Sequence, residues 1–298
     1  MDAHEKINRV YNTAKKIPIN DSSKIVLISD CHRGDASWSD DFSKNQNIYF
    51  YALTHYYNGN YTYIELGDGD ELWENKHMSQ IKAAHTDVFW LLSLFYSEGR
   101  FFSLYGNHDI VKKNKRFVYD NLTTYYDERE KKDKALFPGI NIYEGLLLHY
   151  TETNDNIFLI HGHQGDLLND TLWPVARFLV RYIWRPLDMF GVNNPTSPAQ
   201  NYSRKEKVSR RLYNWAKREG KMLIAGHTHR PAFPEPGKTL YFNDGSCVHP
   251  RCITAIEIAD GSIMLVKWCI HTRKDASLFV AREILAGPVL LKEYFDKH

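Results

Sequence analysis

The stretch that decides the fold is IVLISDCHRG, residues 25–34. Its four leading apolar residues predict a short buried strand, since an apolar run of this length is typical of one. Asp30 and His32 follow the strand at once, so a carboxylate and an imidazole stand where the chain leaves the sheet. This local pattern fits an ordinary surface turn as well as a metal site, and the other strands have to distinguish the two.

Strand and helix patterns alternate along the first half of the chain. Stretches with helical spacing at 45–57 and 86–99 lie between the first three apolar runs. This alternation predicts an α/β fold of layered sheets and helices. The predicted buried strands are 24–29, 61–66, 100–105, 156–161 and 221–226.

Each predicted strand is followed directly by Asp, His or Asn. Because ligand-binding groups in α/β folds gather on the loops that leave the carboxyl ends of strands, we expect these loops to converge. Two carboxylates, an amide and four imidazoles suit manganese first, and also iron, zinc or cobalt. So many ligands exceed one ion but fit two divalent ions that share a carboxylate. The candidates are Asp30, His32, Asp68, Asn107, His161, His227 and His229.

A pair of such ions about 3.5–4 Å apart is typical of enzymes that hydrolyse phosphoesters. They would polarise a phosphoryl group and acidify a bridging water, whose hydroxide could attack phosphorus in line. The pattern therefore predicts a dinuclear-metal phosphohydrolase. Burying this many polar groups beside apolar strands without a metal would cost several kcal/mol.

Composition excludes several other classes. The chain has 298 residues and a net charge of +2, so nothing in its global charge favours nucleic acid. No apolar run reaches the length of about 20 residues that a membrane span needs, and the N-terminus is too polar for a signal peptide. Four cysteines show no C-x-x-C pair. We therefore expect a reduced, cytoplasmic protein.

The predicted organisation is a single domain, residues 1–298, with a helical insertion at 170–220. Within the insertion, an aromatic and arginine-containing helical segment at 172–192 precedes a polar loop at 193–200, and a basic helix follows at 203–220. The two ends of the domain carry their own predictions. A short N-terminal helix should end at Pro18, and the strands from Thr239 onward should be antiparallel, with an Asp-Gly turn at 260–261.

Five motifs in order carry a resemblance to a known family. They are DCH (30–32), GDGDE (67–71), GNHD (106–109), HGH (161–163) and GHTH (226–229). Together they resemble the calcineurin-like metallophosphoesterase superfamily over roughly residues 25–250. A lone D-x-H means little, whereas five ordered motifs are specific. The resemblance implies a layered α/β/β/α sandwich with a helical cap insertion.

The resemblance also implies a role for each motif residue. Asp68 bridges two ions; Asp30, His32 and His229 hold one, and Asn107, His161 and His227 hold the other. His108 corresponds to the general acid or transition-state stabiliser. Asp109 corresponds to the residue that fixes its tautomer and raises its basicity. In HGH, His161 follows the strand and corresponds to the ligand, which leaves His163 behind the ligands or at the substrate.

Basic residues near the motifs are candidates for binding substrate. Arg33 follows His32 closely enough to reach a substrate phosphate, and a surface salt bridge fits it nearly as well. Arg177 and Arg181 belong either to a substrate-binding lid or to a packed helix with a solvated basic face. The remaining histidines that we interpret as structural are His55, His77, His85, His149 and His271.

A narrower resemblance concerns the substrate. GDGDELWE (67–74) and HGHQGD (161–166) resemble the UDP-2,3-diacylglucosamine hydrolase branch, which also inserts an arginine-containing helical cap between its fourth and fifth motifs. That implies a lipid-linked nucleotide-sugar pyrophosphate, a cap that touches the inner membrane face, and a peripheral location. The branch typically has Arg where this chain has His108. This difference favours a more generic leaving-group chemistry.

Two alternatives stand beside that expectation. One is a generic phosphomonoesterase, phosphodiesterase or phosphoprotein phosphatase acting on a phosphorylated small molecule or protein. The other is a metal-binding scaffold that has lost its activity. A scaffold would be expected to lose ligands or His108, and this chain keeps all of them.

Overall fold

The computed structural model describes residues 2–184 and 202–295. Its strands, in chain order, are β1 (Lys15–Ile19), β2 (Ile25–Ile28), β3 (Thr62–Leu66), β4 (Phe101–Leu104), β5 (Thr124–Asp127), β6 (Lys132–Ala135), β7 (Ile142–Tyr143), β8 (Gly145–Tyr150), β9 (Asp155–Ile160), β10 (Met222–Ala225), β11 (Tyr241–Asn243), β12 (Cys252–Ala259), β13 (Ser262–Thr272) and β14 (Leu278–Leu290).

The α-helices are α1 (Ala3–Thr13), α2 (Gln46–Asn58), α3 (Met78–Ala84), α4 (Thr86–Ser97), α5 (Lys115–Leu122), α6 (Trp173–Leu179), α7 (Tyr202–Glu219) and α8 (Leu291–Phe295). Short 3₁₀ turns lie at Phe42–Lys44 and Ile110–Lys113, and π-helical turns lie at Leu167–Thr171 and Val180–Trp184. No helix among the described residues is long and apolar enough to span a membrane.

Two sheets face one another. One has seven strands in the order β14-β13-β12-β2-β3-β4-β7, and the other has five in the order β1-β8-β9-β10-β11. One apolar core fills the space between the sheets, a second packs α2 and α4 on the larger sheet, and a third packs α1 and α7 on the smaller one. These four layers confirm the predicted α/β/β/α sandwich.

The five predicted strands form as β2, β3, β4, β9 and β10. The first three are parallel neighbours in the larger sheet, and β9 and β10 are parallel neighbours in the smaller sheet. All four residues of β2 and of β10 are buried, which explains their uninterrupted apolar sequences. The loops after these strands therefore reach the same region from two sheets.

The ends of the chain differ from the prediction in two places. Helix α1 ends at Thr13, and Pro18 lies in β1, an edge strand parallel to β8. An edge position tolerates proline, because one side of the strand needs no backbone donor. Strand β11 is parallel to β10, not antiparallel. The antiparallel prediction is confirmed for β12, β13 and β14.

The segment between β9 and β10 is helical where the structure describes it. It contains α6, the flanking π-helical turns and α7. The predicted loop at 193–200 lies outside the described residues. Trp73, which follows the second motif, packs with Ala176 and Val180 of this segment. The segment thus lies against the loop that leaves β3.

Candidate metal centre

Two groups of potential ligands form at the strand ends. Asp30, His32 and His229 make one, and Asp68, His161 and His227 make the other; within each group the ligand atoms all lie within 4.8 Å of one another. These groups correspond to the two ions implied by the motifs.

Atoms that face the centre form no hydrogen bond of good geometry, although Asp30 Oδ1 lies 3.0 Å from His229 Nε2 and His161 Nε2 lies 3.1 Å from Asp68 Oδ2. These buried atoms are Asp30 Oδ1, His32 Nε2, Asn107 Oδ1, His161 Nε2 and His227 Nε2. A buried polar atom without a partner costs about 1–3 kcal/mol. Five such atoms directed at one region fit divalent cations, because carboxylate, amide and imidazole donors are what such ions take.

The opposite side of each ligand is held in place. His161 Nδ1 donates to the Leu66 carbonyl at 2.9 Å, so its Nε2 is the nitrogen that can bind a metal once it is deprotonated. His32 Nδ1 lies 2.8 Å from a carboxylate oxygen of Glu71. Asp30 Oδ2 accepts from the His227 amide at 2.7 Å, and Asp68 Oδ1 accepts from the His108 amide at 2.8 Å. Such outer contacts orient ligands before a metal arrives.

Five of the ligands have left-handed backbones. The φ angles are 51° at Asp30, 50° at His32, 50° at Asp68, 67° at His227 and 55° at His229. A non-glycine residue there carries strain of order 1–3 kcal/mol, and such strain clusters at functional sites. The strained turns point the side chains back over the strand ends.

Two glycines allow the motif loops to pack against each other. Gly67 has a φ of 94°, and a Cβ there would lie 2.7 Å from the Gly106 amide nitrogen. Gly106 has no positive φ, but a Cβ on it would overlap the Asp68 carboxylate. Gly67 is therefore required by its positive φ. Both Gly67 and Gly106 are required by the close approach of the neighbouring loop.

The charges of the centre differ from one imidazole to the next. Burial disfavours a charged His161, yet the Asp68 and Asp30 carboxylates raise its pKa to about 9. Burial and the neighbouring His161 lower the pKa of His227 well below its usual value. A proton on His161 therefore occupies the place that a cation would take, since metal ligands must be deprotonated.

A comparison with known protein families identifies the family of this chain. The family model described as Calcineurin-like phosphoesterase matches residues 23–231. The chain belongs to this family. As a calcineurin-like phosphoesterase it is a metal-dependent phosphoester hydrolase, and the two ligand groups are the candidate positions for its divalent metals.

Two solved structures are among those that the chain matches, both at low identity. Vps29 of Chaetomium thermophilum is 11% identical, with 89% of this chain and 96% of that chain covered and a TM-score of 0.40. A presumed 5′-nucleotidase of Staphylococcus aureus, in complex with alpha-ketoglutarate, is 13% identical, with 90% of this chain and 54% of that chain covered and a TM-score of 0.37. No curated protein sequence matches the phosphoesterase significantly.

His108 lies beside the centre, but its partner differs from the prediction. Its Nδ1 is 2.7 Å from Glu71, and its ring stacks on Trp73 with centroids 4.3 Å apart. The predicted contact with Asp109 is wrong, because that carboxylate accepts from the Gly106 amide and from Lys112. Although burial opposes the charge, Glu71 and Asp68 raise the pKa of His108.

Glu71 is the functional residue that sequence reasoning missed. Its carboxylate contacts Nδ1 of both His32 and His108, and so links a metal ligand to the predicted catalytic residue. The signal was present, since Glu71 closes the GDGDE motif. Its partners stand 39 and 37 residues away in the chain, so spacing alone could not assign them.

Arg33 does not face the substrate side. It is 1% exposed, its Nη1 binds Glu65 at 2.7 Å and its Nε binds Asp70 at 2.8 Å. The predicted phosphate contact is therefore contradicted, because extended pairing with Asp70 turns the side chain into the protein. Lys112 also binds Asp70, at 2.7 Å, and we call this set the buried ion cluster: Arg33, Glu65, Asp70, Asp109 and Lys112.

The predicted cap arginines have different surroundings. Arg181 donates to the carbonyls of Leu72, Trp73 and Asn75, so it fastens the insertion to the loop after β3. Its guanidinium is occupied by these contacts, which contradicts a primary substrate role. Arg177 is half-buried over the Trp173 ring at 4.8 Å.

Two further groups border the centre. His163 is buried with an unpartnered Nδ1, and burial together with His161 lowers its pKa to about 3. It is thus neutral and lies beside His161, with ring centroids 5.6 Å apart. Lys205 of α7 is half-buried and close enough to Asp30 and His229 to interact with them electrostatically. No pattern in the sequence distinguishes Lys205 from the other basic residues of its helix.

Proposed function

We propose that this phosphoesterase uses two divalent ions, with manganese as the first candidate and iron, zinc or cobalt as alternatives, to hydrolyse a phosphoester or pyrophosphate bond in a lipid-linked nucleotide-sugar-like substrate. The observation that carries the dinuclear part is the pair of ligand groups, with their unpartnered atoms directed at one region. Asp68 is the candidate bridge, because its Oδ2 lies 3.7 Å from His32 Nε2 and 3.1 Å from His161 Nε2.

The side chains divide the work. Asp30, His32 and His229 would hold one ion, while Asn107, His161 and His227 would hold the other. When bound, the metal pair supplies Lewis-acid activation of the phosphoryl group and the attacking water. Glu71 engages Nδ1 of His108, so Nε2 is the ring nitrogen left to contact a substrate oxygen. Stacking on Trp73 limits rotation of that ring.

The surface of the insertion supports a lipid-linked substrate. Residues 172–183 expose five large apolar side chains, an unusual concentration for a surface that stays in water. Half-buried Arg177 and Lys205 add positive charge on the same insertion. We propose that this surface holds acyl chains at the inner membrane face, with the protein cytoplasmic and peripheral. The exposed residues are Leu172, Val175, Phe178, Tyr182 and Ile183.

A second candidate is a generic phosphomonoesterase or phosphoprotein phosphatase. The observation that favours it is His108, held by Glu71 at a position where the lipid-hydrolase branch is expected to have Arg. An imidazole can deliver a proton to a poor leaving group, which a monoester requires and an arginine cannot provide.

A substrate panel with Mn²⁺ separates these candidates. It contains UDP-2,3-diacylglucosamine, a water-soluble UDP-sugar, p-nitrophenyl phosphate, its bis-ester and a phosphopeptide, compared by kcat/KM. The proposal predicts the highest value for the lipid-linked compound. It also predicts that Phe178→Ser with Tyr182→Ser lowers that value alone. Highest turnover of p-nitrophenyl phosphate or the phosphopeptide would overturn the lipid-linked proposal and support the second candidate.

A further inference from the structure

A separate group of potential metal ligands lies on strands β12, β13 and β14, away from the candidate metal centre. Cys269 and His271 are two residues apart on β13, so both side chains leave the same face of the sheet. Glu283 reaches them from β14, and ligand atoms of these three residues lie within 4.8 Å of one another. None of the strands carries a predicted ligand of the catalytic centre.

A fourth potential ligand lies on the neighbouring strand, β12. Cys252 on β12 is paired directly with Cys269, so the two thiols occupy the same face. Directly opposed residues of antiparallel strands hold their Cβ atoms about 4.5–5.5 Å apart. Both cysteines are free, and burial raises the pKa of each thiol. Two thiols, an imidazole and a carboxylate are the donor types that tetrahedral zinc sites use.

The group is partly organised before any ion arrives. His271 Nε2 lies 2.6 Å from Glu283 Oε1, and Lys267 Nζ lies 2.5 Å from Glu283 Oε2. Cys269 is 9% exposed, whereas His271 is exposed, so an ion could enter from solvent on the histidine side. Regular strands hold ligands more rigidly than loops do.

The charges also balance. Two thiolates and one carboxylate carry three negative charges, and a neutral imidazole adds none. A divalent cation and the neighbouring Lys267 together supply three positive charges. Lys267 can thus remain beside Glu283 when an ion is bound. Without an ion, the same lysine and His271 share the carboxylate.

We infer that Cys252, Cys269, His271 and Glu283 form a separate structural site for one zinc-class cation. The site would join the three antiparallel strands at the end where β12 begins. That end adjoins the loop in which His249 Nε2 contacts the His229 carbonyl at 2.9 Å. The ion would therefore fasten a strand next to the catalytic loops without taking part in hydrolysis.

Cobalt titration of the full chain tests this inference. Thiolate-bound Co²⁺ gives an intense near-ultraviolet charge-transfer band, and the predicted catalytic ligands include no cysteine. We expect one equivalent of Co²⁺ to produce the band, Cys269→Ser to abolish it, and His271→Ala to weaken Co²⁺ binding at this site at least about tenfold. The matched control Cys247→Ala, at a buried cysteine outside the group, should keep the band.

Three outcomes would overturn the inference. The first is the absence of the band in a folded protein, and the second is its persistence in Cys269→Ser. The third is a Cys252–Cys269 disulfide in protein isolated under reducing conditions. Asp68→Asn separates the two centres, because it should abolish hydrolysis and leave the cobalt–thiolate band unchanged. A hydrolytically inactive wild-type chain with the band would contradict the proposed function alone.

Discussion

The buried ion cluster and the candidate metal centre lie side by side, and both consist of buried polar side chains. They differ in whether those side chains have hydrogen-bond partners. In the buried ion cluster, each carboxylate accepts from Arg33, Lys112 or a backbone amide. In the metal centre, ligand atoms of Asp30, His32, Asn107 and other residues have no hydrogen-bond partner. The contrast teaches that buried charge alone does not mark a metal site. A metal site is indicated instead by potential ligand atoms that lack hydrogen-bond partners and are directed at one region.

The largest difference should come from the bridging position. Asp68→Asn should lower kcat/KM at least about 10³-fold, because metal activation supplies several kcal/mol of transition-state stabilisation. The same change should remove the rise in melting temperature that Mn²⁺ gives to chelator-treated protein. Asp133→Asn, at an exposed aspartate, is the control and should keep both properties. Retained activity in Asp68→Asn would break the comparison.

The buried ion cluster should respond in the opposite way. Arg33→Met leaves Glu65 and Asp70 buried without their main partner, so the free energy of unfolding should fall by about 3–5 kcal/mol. Denaturant unfolding measures this, with exposed Arg116→Met as a control expected to stay within about 0.5 kcal/mol. Folded Arg33→Met should still bind Mn²⁺. If Arg33→Met kept its free energy of unfolding and raised KM, Arg33 would instead contact the substrate.

Glu71 connects the metal centre to His108, and its removal sharpens the comparison. Glu71→Gln removes the negative charge that faces Nδ1 of both His32 and His108, so kcat should fall about 10–100-fold while KM changes little. Steady-state kinetics separate the two constants. Exposed Glu128→Gln is the control. A loss of thermal stability with kcat preserved would mean that Glu71 only supports the fold.

The smallest expected effect belongs to the insertion. Lys205 has the charge to meet an anionic group of the substrate, and Lys205→Ala should raise KM about fivefold, an effect of about 1 kcal/mol, with kcat preserved. Lys207 is exposed on the same helix, so Lys207→Ala should change neither constant. Equal effects of the two variants would mean that only the net charge of α7 matters.

The convergence of the candidate ligands could be predicted because their signal is local. The candidates follow apolar strands, and in α/β folds such exits converge. The structure brings six of them into two groups, while their binding of metal stays a prediction. Cys31 is buried, with its Sγ 3.6 Å from Cys247 Sγ, but strand alternation is not the reason, because Asp30 and His32 on either side of it have left-handed backbones. The two-sheet arrangement followed from the family resemblance.

The contacts around the centre could not be predicted in this way. Whether an arginine beside a ligand faces substrate or core depends on backbone turns that spacing does not show, as Arg33 illustrates. Glu71 binds residues distant in sequence, and Arg181 binds carbonyls of the loop after β3. Strand β8 was missed although LLLHY (146–150) is apolar, because no motif residue follows it.

Anomalous scattering tests most directly whether the candidate metal centre holds two ions. Crystals of the full chain soaked in Mn²⁺ can be examined by anomalous scattering. The account predicts two peaks on either side of Asp68, one beside Asp30, His32 and His229 and the other beside Asn107, His161 and His227, at bonding distance from the atoms that now lack partners. Absence of both peaks, with those atoms hydrogen-bonded to water instead, would contradict it.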